Sequence, residues 1–472
     1  MDSESKDLTN PQPSLEGSRL NREILALAVP ALIALIAEPL LVTIDSAMVG
    51  HLGTPQLAGL ALSSAILMTA VGVFIFLAYS TTALTSRAMG AGRADEGIKA
   101  GIDAMWLAAI LGTVTALILM VGAEPIILFF NPDPEVLPHA LAYLSWASPG
   151  LIGMLVVLAA TGTLRGVLDT KTPMHVATGG SALNAVLNAI FIYGLNMGVA
   201  GSGLGTAIAQ TLMALVLAGV VLAHARRYRV SVRPSFSAIL GATATGFPLF
   251  VRTITLRIAL LATVAAVTRV GAVALAAYQV VNTVWNFAAY ALDALAIAAQ
   301  ALVGHSLGQG NAGHTHALLR RIIWWGLGSG AVIGTVIMVA SPLLPSIFGA
   351  DPDMRHVATM GLLVAGAFQV LAGFVFMMDG VLIGAGDNRF LAWSGVLTLV
   401  PYLPVLWWIG TRYADSALDQ QGWGLLWVWV AFAAVFMGMR ALTTGVRARG
   451  TAWMGLDSDP LNSDRSVRDS TH

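Results

Sequence analysis

The chain repeats itself once, with a constant offset between its two halves. Pro30 is repeated by Pro248, which lies 248 − 30 = 218 residues later, and Asp169 is repeated by Asp387 at the same offset. The offset is kept through loops as well as apolar segments. An internal repeat of this kind in an apolar chain is typical of a transporter whose site lies where the repeats meet.

The composition excludes a soluble protein. Of the 472 residues, 57% are hydrophobic and only 11% are charged, whereas soluble domains carry about 25% charged residues. We therefore predict a polytopic membrane protein with the lipid bilayer as its surroundings. A net charge of zero argues against a nucleic-acid partner. The absence of cysteine excludes disulfides and thiolate sites.

The apolar segments predict about twelve transmembrane helices, since a span needs roughly 20 apolar residues. The predicted spans are Ile24–Val49, Leu57–Leu84, Ile102–Val121, Ala140–Thr161, Met174–Leu195, Leu204–Ala223, Ile239–Val267, Val273–Val303, Leu318–Ala340, Val357–Leu382, Phe390–Ile409 and Trp423–Leu442.

Six spans per half return the chain to the side on which it started. The predicted fold is therefore all-α, with two six-helix lobes related by a pseudo-two-fold axis along the membrane normal. The expected organisation is a disordered N-terminus (1–19), an N-terminal lobe (20–225), a linker (226–237), a C-terminal lobe (238–450) and a disordered tail (451–472). We expect a monomer.

Basic residues predict the orientation, because they concentrate in cytoplasmic loops. The opposite loops carry only Arg269, Arg355 and Arg412. Both termini and the linker are therefore predicted to be cytoplasmic, with the protein in the inner or plasma membrane. The basic residues on the predicted cytoplasmic side are Arg19, Arg22, Arg87, Arg93, Lys99, Arg165, Lys171, Arg226, Arg227, Arg229, Arg233, Arg320, Arg321, Arg389, Arg447 and Arg449.

Charged residues inside spans are costly, so each is a candidate for function. The first is Asp45, which shares span one with Pro30 and Pro39. Prolines allow a spanning helix to bend, so protonation of Asp45 could be coupled to the shape of the helix. Glu38 lies two turns earlier on roughly the same face. The alternative is a structural carboxylate held by hydroxyls or water.

Two pairs of polar residues are spaced to lie on one helix face. They are Asn184 with Asn188 in span five, and Thr206 with Gln210 in span six. These side chains could hydrogen-bond a protonated Asp45 or coordinate a cation beside it. The alternative is that they join helices to one another, as polar side chains do in membrane bundles.

The second half carries its own charges within the spans. Arg252, Arg257, Asp293 and Asp379 suggest internal ion pairing, which favours a structural role for the arginines. A contribution to the cavity or to gating is the alternative for all four. An intramembrane aspartyl protease built on the two aspartates is disfavoured, because no catalytic motif surrounds them. We predict that the chain is not an enzyme.

Four motifs resemble one family of transporters. They are AEP at 37–39, VGHLG at 49–53, AAQALVG at 298–304 and DGVLIGAGD at 379–387. On these segments, residues 20–450 resemble the multidrug and toxic compound extrusion (MATE) transporters, and among them the DinF-like branch.

The resemblance implies a secondary antiporter, with two lobes around a central cavity, that exports amphipathic or cationic compounds in exchange for H+ or Na+. It also implies a cation site in the N-terminal lobe, to which Asp45, Asn184 and Thr206 correspond. Asn188 stands where relatives carry a second acid. With one carboxylate fewer, we favour H+ over Na+ and expect no other cofactor or metal; Na+ at Asp45 is the alternative. A lipid-linked oligosaccharide flippase of the same superfamily is the alternative function.

Overall fold

A computed structural model describes residues 13–349, 351–414 and 417–455. Within these ranges the secondary structure is helical, with no strand. Ten helices are long and apolar enough to span a membrane alone, and two further spans are helix pairs bent by 51°. The twelve are α1 Pro13–Gly50, α2 Thr54–Gly90, α3 Ala94–Val121, α4 Leu137–Ala147 with Gly150–Gly166, α5 Lys171–Gly194, α6 Val199–Arg227, α7 Phe236–Val270, α8 Ala272–Gly308, α9 Ala312–Ala340, α10 Pro352–Ala367 with Gln369–Gly384, α11 Asn388–Arg412, and α12 Leu418–Val430 continuing through Ala431–Met437 and Gly438–Arg449.

The helices pack in the same way in both halves of the chain. In the first lobe α1 packs on α5, α2 on α4, and α3 on α4; in the second, α7 packs on α11, α8 on α10, and α9 on α10. Both bent spans lie at equivalent places in the repeat. The prediction of about twelve spans in two six-helix lobes is therefore confirmed.

The lobes contact each other mainly through α1 and α2 of the first lobe and α8 of the second. Near the helix ends that face the linker, α2 and α8 cross with their backbones in contact. A Cβ on Gly90 would overlap the carbonyl oxygen of His305, and a Cβ on Gly308 would overlap that of Arg87. These two contacts are related by the repeat. We call the side with this crossing, the linker and the described chain ends the terminal side.

Further hydrogen bonds close the cleft between the lobes on the terminal side. Arg87 Nη1 donates to the carbonyl of Ala385 at 2.9 Å, and Gln300 Nε2 donates to that of Tyr79 at 2.6 Å. These contacts join α2 to α10 and to α8.

The expected disorder at the two chain ends is wrong for the residues that the structure describes there. Residues 13–19 begin α1 instead, because Leu20 and Ile24 are buried in the core and Arg19 pairs with Glu23 one turn later at 3.0 Å. In the predicted tail, Ala452–Met454 forms one helical turn that buries the apolar side chains of Trp453 and Met454. Residues 1–12 and 456–472 lie outside the described residues.

The linker is shorter than predicted and lies against α3. α6 continues to Arg227 and α7 begins at Phe236. Lys99 Nζ donates to the carbonyl of Arg233 at 3.0 Å, and Trp106 Nε1 donates to that of Val232 at 3.0 Å. The connection between the lobes is thus attached to the first lobe.

Candidate functional site

α1 carries the first candidate and runs without a break through two prolines. Pro30 and Pro39 lie inside the helix, and each removes a backbone donor, so the carbonyl four residues earlier loses its helix bond. Thr43 Oγ1 bonds the carbonyl of Pro39 at 2.9 Å. Asp45 lies beyond both prolines, on the part of α1 that packs against α5 and α6.

Asp45 is buried and accepts hydrogen bonds from two neutral donors. Asn188 Nδ2 donates to Asp45 Oδ1 at 2.9 Å, and Ser202 Oγ donates to the same oxygen at 2.6 Å. The network continues from Asn188 Nδ2 to Asn184 Oδ1 at 3.0 Å, and from Asn184 Nδ2 to Thr206 Oγ1 at 3.2 Å. The structure thus brings together the four residues Asp45, Asn184, Asn188 and Thr206.

Ser202 was not predicted as a site residue from the sequence. It lies one helical turn before Thr206, so Ser202, Thr206 and Gln210 form one row on α6. The signal was present, because the spacing of four that joins Thr206 to Gln210 extends back to Ser202.

The Asp45 carboxyl has no cationic partner. Throughout the described part of the chain, no lysine, arginine or histidine lies within 4.0 Å of it. One acceptor in the network is unused, since Asn188 Oδ1 is buried without a hydrogen-bond partner. A Cβ on Gly205 would overlap that oxygen, so glycine at 205 makes room for the Asn188 amide. An uncompensated carboxyl beside a free acceptor is suited to holding a proton.

Asp45 lines a cavity of about 200 Å³ in the first lobe. Glu38, Gln210 and Pro173 line the same cavity, and Arg165 and Asp293 lie in its wall. Pro30 does not line it. That proline is buried at the level where α1 meets the second lobe.

A second cavity of about 310 Å³ lies between α2 and the second lobe. In its wall, Arg252 Nη2 binds Asp379 Oδ2 at 2.5 Å, and Arg440 Nη2 binds the same oxygen. Arg440 also lies 5.5 Å from the ring centre of Phe436. The pairing of Arg252 with Asp379 agrees with the expected ion pairing.

Arg440 was missed in the sequence, although it is the only charged residue of the predicted span 423–442. It follows the π-helical turn Ala431–Met437. Such turns often occur at functional sites, because they re-aim the side chains around them.

Asp293 and Arg257, the other two charges predicted within these spans, do not pair with each other. Asp293, half-buried, interacts with Tyr79, Arg165 and Arg252 rather than with Arg257. Among the described residues, no carboxylate lies within 4.0 Å of Arg257. The Arg257 guanidinium extends toward Gly72 of α2.

Known proteins resemble the chain over nearly its whole length. "Protein DETOXIFICATION 44, chloroplastic" of Arabidopsis thaliana is 26% identical over 475 residues, covering 95% of this chain and 86% of that protein. "Multidrug resistance protein MdtK" of Pectobacterium atrosepticum is 25% identical over 391 residues, covering 81% and 85%. The crystal structure of the Vibrio cholerae MATE transporter VcmN in the bent form superimposes with a TM-score of 0.81 at 21% identity, covering 95% of this chain and 98% of that one.

These similarities do not favour the flippase alternative. The profile of the MatE family matches residues 30–190 and again residues 248–408. The two matches are separated by the offset of the internal repeat and together span more than half of the chain. The chain therefore belongs to the MatE family of multidrug efflux transporters.

Proposed function

We propose that the protein is a proton-driven antiporter that exports small amphipathic or cationic compounds, with Asp45 as its proton site. The observation that carries this proposal is the buried Asp45 carboxyl, which is bonded only by neutral donors. A buried carboxylate without a cation is costly, and a proton removes its charge. The Asn188 side chain, whose nitrogen donates to Asp45, also carries an oxygen without a hydrogen-bond partner, Oδ1. This oxygen could accept a hydrogen bond from the protonated carboxyl of Asp45.

The arrangement of the amides supports H+ over Na+. A sodium ion would need several oxygens turned toward one point. Here the Asn188 nitrogen lies between Asp45 Oδ1 and Asn184 Oδ1, and the Asn184 nitrogen faces Thr206 Oγ1. Amide hydrogens thus occupy the oxygens that would bind the ion.

The position of Asp45 on α1 supports coupling between the proton and the lobes. Ala31 of the same helix packs against Ala294 and Ile297 of α8. Fourteen residues separate Ala31 from Asp45, or about 21 Å along a helix. Pro39 lies between them. When Asp45 gains or loses a proton, α1 can therefore bend at Pro39, or it can shift the contact between the lobes.

A compound bound in the first cavity would meet the proton site directly. That cavity carries Glu38, Asp45 and Asp293 against Arg165, which favours the cationic end of an amphipathic compound. Protonation of Asp45 would remove one of these negative charges and weaken the hold on the compound. In alternating access, this step would occur while the terminal side is closed.

The distribution of basic residues favours a cytoplasmic terminal side. Closure there means that release occurs to the outside, and that protons enter as the compound leaves.

Reconstitution in liposomes tests the proposal. Efflux of a cationic dye is measured under an imposed H+ gradient and, separately, under an imposed Na+ gradient with the pH equal on both sides. We expect the H+ gradient to drive dye movement and the Na+ gradient to have no effect. Movement driven by Na+ alone, or transport indifferent to both gradients, would overturn the proposal.

A further inference from the structure

The second cavity is positively charged, in contrast to the first. Its wall carries the arginines Arg252, Arg257 and Arg440 against the aspartates Asp293 and Asp379. Three positive and two negative side chains give a net charge of +1.

Internal pairing leaves part of this charge uncompensated. Arg252 and Arg440 share one oxygen of Asp379, so two guanidiniums contact a single carboxylate. Both side chains are nearly buried, with 11% of each exposed. Their bonds to Asp379 use one nitrogen of each guanidinium, which leaves further N–H donors on both. Charges held away from water need a partner. Asp379 supplies one to both arginines and Asp293 a second to Arg252, so the charge left without a carboxylate is that of Arg257.

Arg257 is the cation with the freest guanidinium in this cavity. It lines the cavity, is exposed within the cleft, and has no carboxylate partner in the described chain. Its guanidinium lies against Gly72, where a Cβ would overlap Nη2. The missing side chain at Gly72 therefore provides the space into which Arg257 extends.

Arginine is the side chain best suited to binding a carboxylate, because its planar guanidinium offers parallel donors that match the two oxygens. The wall of this cavity carries one arginine more than it has aspartates. We propose that the second cavity is a binding site for the carboxylate group of a small organic anion, held by Arg257 together with the donors of Arg252 that Asp379 leaves free.

The site is distinct from the cation-binding first cavity, and the two meet at Tyr79 and Asp293, which line both. The transporter would thus accept compounds that carry a carboxylate as well as cations. Transport of such anions rests on the proposed antiport, but their binding does not.

Equilibrium binding to the full-length protein in detergent tests the site without any gradient. The probe is 2-naphthoate, an aromatic compound that carries one carboxylate. We expect saturable binding of naphthoate that Arg257→Gln weakens about tenfold or more, the loss expected for one charge-assisted contact. Gly72→Val, which keeps every charge but displaces the guanidinium, should weaken naphthoate binding as well, and Arg257→Lys should retain part of it. Arg269→Gln, an exposed position on the same helix outside the cavity, should bind naphthoate as the native protein does.

The proposal is wrong if the native protein does not bind naphthoate, or if Arg257→Gln and Arg269→Gln bind it equally. Melting temperatures of the variants show whether each is folded. If Arg257→Gln is not folded, the naphthoate binding of Gly72→Val and Arg257→Lys tests the site instead. If the native protein binds naphthoate but does not export the dye under an H+ gradient, the proposed function alone is contradicted. Intact efflux without naphthoate binding would contradict this inference alone.

Discussion

The hydroxyls of Thr263 and Tyr402 lie 2.7 Å apart in the second lobe, at the positions that Asp45 and Asn184 occupy in the first. The repeat therefore preserves the contact between the first and fifth helices of each lobe and changes its chemistry. In the second lobe the pair is neutral and fully enclosed, and Tyr402 packs against the ring of Phe436 at 5.1 Å. A carboxyl group is present at this place in the first lobe alone.

Restoring a second acid should change the ion that the first lobe uses. Asn188→Asp places a carboxylate next to Asp45, where the native protein has an amide at 2.9 Å. Two adjacent carboxylates disfavour each other's charge, and a sodium ion relieves this repulsion. We expect dye efflux by the variant to be stimulated by a Na+ gradient that has no effect on the native protein.

The double variant that combines Asp45→Asn with Asn188→Asp is the control for that experiment. Removal of the Asp45 carboxyl should abolish the stimulation of efflux by Na+. If Na+ leaves the Asn188→Asp protein unaffected, the amide at 188 is not what excludes sodium.

The crossing of α2 and α8 should determine how tightly the terminal side closes. Because a Cβ on Gly90 would overlap the backbone of His305, Gly90→Val must push the two helices apart. Spin labels at Asp95 and His316, exposed positions in the two lobes, are expected to lie farther apart in this variant. The chain contains no cysteine, so both labels can be placed on introduced cysteines.

Gly219→Val is the matched control for this crossing, since Gly219 is also helical and nothing lies within 4 Å of its ideal Cβ position. Its label distances should equal those of the unsubstituted pair. Equal distances in Gly90→Val would show that the crossing does not limit closure.

The Asp379 pair should contribute strongly to stability. Asp379→Asn would leave the Arg252 and Arg440 guanidiniums facing each other without their anion. Removing one partner of a buried ion pair costs about 3–5 kcal/mol, so the melting temperature should fall by several degrees. Arg440→Met leaves Arg252 paired with Asp379, so its melting temperature should be higher than that of Asp379→Asn. The reverse order would mean that Asp379 is not the group that holds this cluster together.

The sequence was sufficient to predict the architecture, because the repeat and the apolar spans are properties of the chain itself. Spacing also identified the polar row that meets Asp45, since residues four apart on a helix share a face. The same spacing extends to Ser202, but it does not show that the Ser202 hydroxyl donates to Asp45, because that contact depends on how α1 packs against α6. Partners from distant helices, such as Arg440 on Asp379, depend on how α10 and α12 pack.

Charges alone could not predict which ions pair. The four charges within the spans of the second half suggested internal ion pairing, whereas Arg440 of α12 and Arg165 of α4 also take part. Arg257 was left without a carboxylate because its side chain crosses to α2. The ends of the chain were mispredicted for a related reason: Trp453 follows a polar linker-like segment, and only the folded lobes provide the core that buries it.

Proton-driven efflux by Asp45→Asn in liposomes tests the account most directly. Asparagine keeps the shape of the side chain and removes the group that titrates, while Thr263→Val alters the equivalent position of the other lobe as the matched control. We predict that Asp45→Asn abolishes efflux driven by an H+ gradient and weakens binding of the cationic dye, with the melting temperature retained, and that Thr263→Val transports at the native rate. Efflux at the native rate by Asp45→Asn would contradict the account.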